Sequence, residues 1–86
     1  MLIRYFGAAK AAAGTEEETL DEGPLTLGEL AEKLGAKYPA AGPGVPVLAT
    51  VIARSTFLVN ETAAQDRAML LQEGDVVDIL PPFAGG

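Results

Sequence analysis

Apolar positions along the chain switch between two periods, and the switches mark the elements. Leu2-Ile3-Arg4-Tyr5-Phe6 alternates, with Ile3 and Tyr5 on the face opposite Arg4, and predicts a first strand. Ala8 to Ala13, closed by Gly14, predicts a short helix. Thr15 to Leu20 is expected to return as a strand. Its Glu16-Glu17-Glu18 run suits a solvated sheet edge. After the Asp21-Glu22-Gly23-Pro24 turn, Thr26 and Glu29 have the spacing of a capping box. Leu27, Leu30, Ala31 and Leu34 then recur on one helical stripe. Gly35 is expected to fray that helix, and Pro39 to stop it near Tyr38.

The second half is shorter-grained. Residues 40–46 read as a loop, with Pro46 placed at N1 of a short helix through Val47, Leu48, Val51 and Ile52. Phe57-Leu58-Val59 predicts a strand ending in a turn at Asn60-Glu61, and Met69-Leu70-Leu71 is a short apolar segment. Glu73-Gly74-Asp75 turns into a final strand, Val76 to Leu80, with Val77 and Ile79 inward. One main helix on one face of a small mixed sheet is an α+β arrangement. The helix returning the chain to the sheet permits the first and last strands to lie parallel at the centre, and the expected fold is the ubiquitin-like β-grasp. The expected organisation is a β-grasp domain over 1–80 and an extended Pro-Pro-Phe-Ala-Gly-Gly tail over 81–86.

That tail carries the chemistry. A residue before proline is extended, and Pro81-Pro82 favours stiff polyproline II geometry with little entropy to lose on insertion. Gly85 and Gly86 lack a Cβ, so a narrow channel can close on their backbone. Six residues reach about 20 Å at roughly 3.3–3.6 Å each. Pro81, Pro82, Ala84 and Gly85 are therefore the candidates for threading, and the carboxylate of Gly86 is the candidate reacting group. Phe83 is the candidate anchor on a partner, and Leu80 and Phe6 are candidates for an apolar docking patch or, equally, for the core.

Composition narrows the remaining chemistry. The chain of 86 residues has neither cysteine nor histidine. Disulfides, thiolate or imidazole metal sites, and Ser-His or Cys-His catalysis are excluded. The net charge of −6 argues against nucleic acid and anionic membranes and suits a basic docking surface. No signal peptide or membrane span is visible, which leads us to expect a cytoplasmic protein. Glu16, Glu17 and Glu18 are read as solvated surface, Asp75 as a turn former, and Arg4, Lys10, Arg54 and Arg67 as scattered surface charges.

Tyr5-Phe6-Gly7-Ala8 with Gly14, Phe57-Leu58-Val59-Asn60, and above all Glu73-Gly74-Asp75-Val76-Val77-Asp78-Ile79-Leu80-Pro81-Pro82-Phe83-Ala84-Gly85-Gly86 carry a resemblance. The chain resembles the ubiquitin-like sulfur carriers of MoaD/ThiS type, the family of the molybdopterin synthase small subunit and the thiamine-pathway carrier. Many relatives carry an Arg-Glu pair in the first short helix, where this chain has Ala9-Lys10-Ala11.

The resemblance implies a carrier subunit that is not itself catalytic and binds no cofactor. An adenylating partner would use ATP and magnesium to activate Gly86, and a sulfur donor protein would convert it to a thiocarboxylate. The large synthase subunit would spend that sulfur on a cyclic pyranopterin precursor in molybdenum cofactor biosynthesis, within a heterotetramer. A ubiquitin-like protein modifier, a thiamine-pathway carrier and an interaction domain with an inert tail remain open alternatives.

Overall fold

A computed structural model of the chain describes residues 1–82. The expectations placed on Phe83, Ala84, Gly85 and Gly86 lie outside the described residues. The elements run β1 (Leu2–Tyr5), α1 (Gly7–Ala13), β2 (Glu17–Thr19), β3 (Leu25–Thr26), α2 (Leu27–Lys37), α3 (Leu48–Ala53), β4 (Thr56–Val59), β5 (Thr62–Ala64), β6 (Leu70–Leu71) and β7 (Val76–Leu80). The main sheet has the order β2-β1-β7-β4-β5, and β3 and β6 form a separate two-stranded pair. β7 is central, parallel to β1 and antiparallel to β4. This is the ubiquitin-like β-grasp.

Local chemistry explains the boundaries. Thr26 and Glu29 close the capping box in both directions: the Glu29 N–H donates to Thr26 Oγ1 at 3.1 Å, and the Thr26 N–H donates to Glu29 Oε1 at 2.8 Å. α2 then buries Leu27, Leu30 and Leu34 completely against the sheet. It does not fray at Gly35. That residue is helical, and a Cβ there would stand 3.2 Å from Ala49 Cβ, so α2 packs closely on α3 at this glycine. Pro46 lies two residues before the N1 position expected for it, because Val47 is the N-cap and Leu48 the first residue of α3.

The inner face of the sheet contributes Ile3, Tyr5, Phe57, Val59, Val77 and Ile79, all at most 5% exposed, to the core. The β4–β5 connection is a two-residue turn with positive φ at Asn60 and Glu61, the geometry whose twist matches a hairpin.

Candidate functional site

The root of the tail is held on both sides. Ile79 pairs with Tyr5 of β1 and with Phe57 of β4, and Leu80 pairs with Thr56. The Phe6 N–H donates to the Ile79 carbonyl at 3.3 Å. Immediately beyond, Gly7 turns the chain into α1 at φ +51°, and a Cβ on it would approach Pro81 Cγ to 4.0 Å. Phe6, Gly7, Leu80 and Pro81 thus meet where β7 ends.

Strand alternation sets which way the side chains project. Tyr5 and Ile79 point into the core, so Phe6 and Leu80 project from the other face. Phe6 is 42% exposed and Leu80 is partly buried, so neither belongs to the buried core. Pro81 is half-buried and Pro82 exposed.

Charges near this root are more ordered than scattered. Arg4, Asp78 and Leu58 lie in register across β1, β7 and β4. The Arg4 guanidinium donates from Nε to Asp78 Oδ1 at 2.5 Å and from Nη2 to Asp78 Oδ2 at 2.9 Å. That hydrogen bond and the charge behind it raise the Arg4 pKa above its ordinary value. Lys10 donates to Glu16 at 2.9 Å, a bond that lowers the Glu16 pKa. The lone Lys10 of α1 therefore finds its partner across the turn instead of within the helix.

Glu18 departs from the expected solvated run. It faces α2, where it accepts from Lys37 Nζ at 2.7 Å and from the Tyr38 hydroxyl. Tyr38 packs edge-on against Tyr5 at 6.1 Å between ring centroids. The Tyr5 hydroxyl is buried beside them without a well-formed hydrogen bond, and burial pushes its pKa far above the usual tyrosine value. Arg67 also leaves the scattered set: its guanidinium lies 4.7 Å from the Phe57 ring centroid.

The Arg4–Asp78 pair escaped the sequence reading, although its signal was present. Asp78 is an acid at an outward phase of a central strand, and Arg4 is a base at the same phase of the first. Among the described residues no group of three metal-ligating side chains occurs, and no helix is long and apolar enough to cross a membrane. What the fold sets up among the described residues is the end of β7, paired on both sides, from which Pro81 and Pro82 leave the sheet.

Comparisons with known proteins agree with this geometry. The chain is 33% identical over 85 residues to the molybdopterin synthase sulfur carrier subunit of Phaeosphaeria nodorum, covering 98% of this chain and 88% of that protein. Its fold matches SAMP1 from Haloferax volcanii with a TM-score of 0.74 at 23% identity, over 100% of this chain and 98% of the other. It also matches a chain in the complex of subunits 1 and 2 of the molybdopterin-converting factor from Helicobacter pylori, with a TM-score of 0.63 at 22% identity, over 99% and 96%. The match to the ThiS family runs from residue 3 to residue 86 and so takes in strand, prolines and glycines together: the chain belongs to the ThiS family.

Proposed function

We propose that this chain is the sulfur-carrier small subunit of a molybdopterin synthase. The observation that carries the reading is the full-length likeness to a protein of that name, joined to a tail that leaves from the sheet's central strand. A carboxylate with an ordinary α-carboxyl pKa of about 3.3–3.7 is ionised at neutral pH and is a poor acyl electrophile. An activating partner overcomes this when a Gly86 oxygen attacks the α-phosphorus of ATP and magnesium-bound pyrophosphate leaves. The terminal sulfur of a donor protein's persulfide then attacks the acyl carbon and displaces AMP, and a second thiol cleaves the resulting acyl disulfide, leaving a thiocarboxylate at Gly86 and a disulfide on the donor side.

Gly85 and Ala84 admit the backbone to a tight, water-excluding channel, which protects the acyl-adenylate from hydrolysis. Pro81 and Pro82 hold the approach extended, and Phe83 anchors it. This chain supplies no acid, base, metal or cofactor, and ATP and magnesium belong to the activating partner. The large subunit receives the charged tail and transfers its sulfur to a pyranopterin precursor. The Helicobacter pylori complex supports a partner of that kind.

Intact-mass measurement after incubation with the activating enzyme, ATP and a sulfur source tests the reading. The expected product has one C-terminal oxygen replaced by sulfur. A chain lacking Gly86 that still supported molybdopterin formation would overturn it, and conjugates of higher mass on other proteins' lysines would favour a protein modifier.

A further inference from the structure

Asp78 is the buried charged residue of the described chain, at 5% exposure, yet it lies on the sheet face opposite the helices. Its neighbours there, Leu2, Leu58, Val76 and Leu80, are apolar and only partly buried. Taking a carboxylate out of water is costly even when it is paired, and an apolar side chain of similar volume is often as stable or more so. Stability alone is therefore a poor account of a carboxylate and a guanidinium at the middle of this face.

The geometry offers another account. Asp78 engages Nε and Nη2 of Arg4, and the remaining guanidinium hydrogens have no acceptor among the described residues. The Arg4 side chain is 35% exposed. It forms the common wall of two shallow depressions, one shared with Phe6, Lys10 and Glu17, the other with Asn60 and Glu61. A guanidinium already neutralised and fixed by a fork can be covered by another protein without leaving a bare charge. Leu80 follows Asp78 two residues later on the same face, so Arg4 borders the root from which the tail leaves. The flanking Glu17 and Glu61 set the charge of the rim.

Resting on the carrier reading above, we propose that Arg4, clamped by Asp78, is a specificity-determining residue for the ATP-dependent activating protein. Its free N–H groups bond a carbonyl at the centre of that protein's docking surface, whose lysines or arginines face Glu17 and Glu61.

Adenylation kinetics with the full chain, the activating enzyme, ATP and magnesium test this. Arg4→Gln and Arg4→Lys raise KM for the carrier about ten-fold, the factor carried by one hydrogen bond to a charged group, and leave kcat unchanged. The double variant Arg4→Met/Asp78→Leu removes both charges together, keeps its thermal melt, and retains the raised KM. A double variant that returned to the wild-type KM would make Arg4 a mere counter-ion for Asp78 and overturn the proposal, as would a loss confined to kcat. Wild-type chain that is adenylated alongside equally good variants defeats the docking role alone. A wild-type chain that is never adenylated defeats the carrier reading and this proposal with it.

Discussion

Gly35 of α2 faces Ala49 of α3 so closely that a Cβ on the glycine would lie 3.2 Å from the alanine Cβ and 3.5 Å from its Cα. The two helices settle at this distance because one of them presents no side chain. Gly35→Val is expected to wedge them apart and destabilise the domain by about 1–3 kcal/mol. Gly35→Ala is expected to be nearly neutral, since a helix-propensity gain of about 1 kcal/mol offsets the tight contact. Urea unfolding of the two variants measures the difference.

The β4–β5 turn holds Glu61 at φ +69°, a conformation that a side chain disfavours. Asn60 before it tolerates φ +50° better. Glu61→Gly is therefore expected to stabilise the fold by roughly 0.5–1 kcal/mol, the left-handed penalty less glycine's extra unfolded entropy. A rise in the urea midpoint with an unchanged slope is the expected readout.

Asp75 accepts from the Gln72 backbone N–H at 2.7 Å and from Asn60 Nδ2 at 3.0 Å, and these bonds lower its pKa. A carboxylate depressed in the folded state stabilises the fold fully above the ordinary aspartate value of about 3.9. That contribution is lost as pH falls through the lower folded value. Asp75→Asn should flatten the stability profile in this acid window and leave its slope near neutral pH unchanged. Thermal melts across the acid range give the comparison.

Removing either member of the Arg4–Asp78 pair is expected to have unequal effects. Arg4→Ala strands a carboxylate whose side chain is 7% exposed, whereas Asp78→Ala leaves a guanidinium that reaches solvent. The urea midpoint should fall further for Arg4→Ala.

The tail is expected to fail at its glycines without any loss of fold. Gly85→Val should slow adenylation by about 100-fold, the scale of a misplaced reacting group, with an unchanged melt. An unaffected rate would show that the channel does not close around this residue.

The sequence exposed what repeats or caps. The Leu27, Leu30 and Leu34 stripe, the Thr26–Glu29 box and the inward Val77 and Ile79 were all legible. β3 and β6, two residues each, are too short to show a period and exist only because Leu25 and Leu71 meet in space. β5 escaped because Ala63 and Ala64 carry little strand preference, and its hairpin lacks a glycine turn. Glu18 looked solvated in its acidic run because only the fold brings Tyr38 and Lys37 to it. At the site, Phe6 and Leu80 stood open between patch and core until the structure placed them outside the core, and the Arg4–Asp78 fork required knowing that β1 and β7 are neighbours.

Because β7 is flanked by a parallel and an antiparallel strand, traction applied to the terminus along its axis loads two ladders at once. The bonds to β1 and β4 then resist in shear, side by side, instead of unzipping one after another as they would from a sheet margin. A machine that grips and releases the end can haul on it without unravelling the body behind.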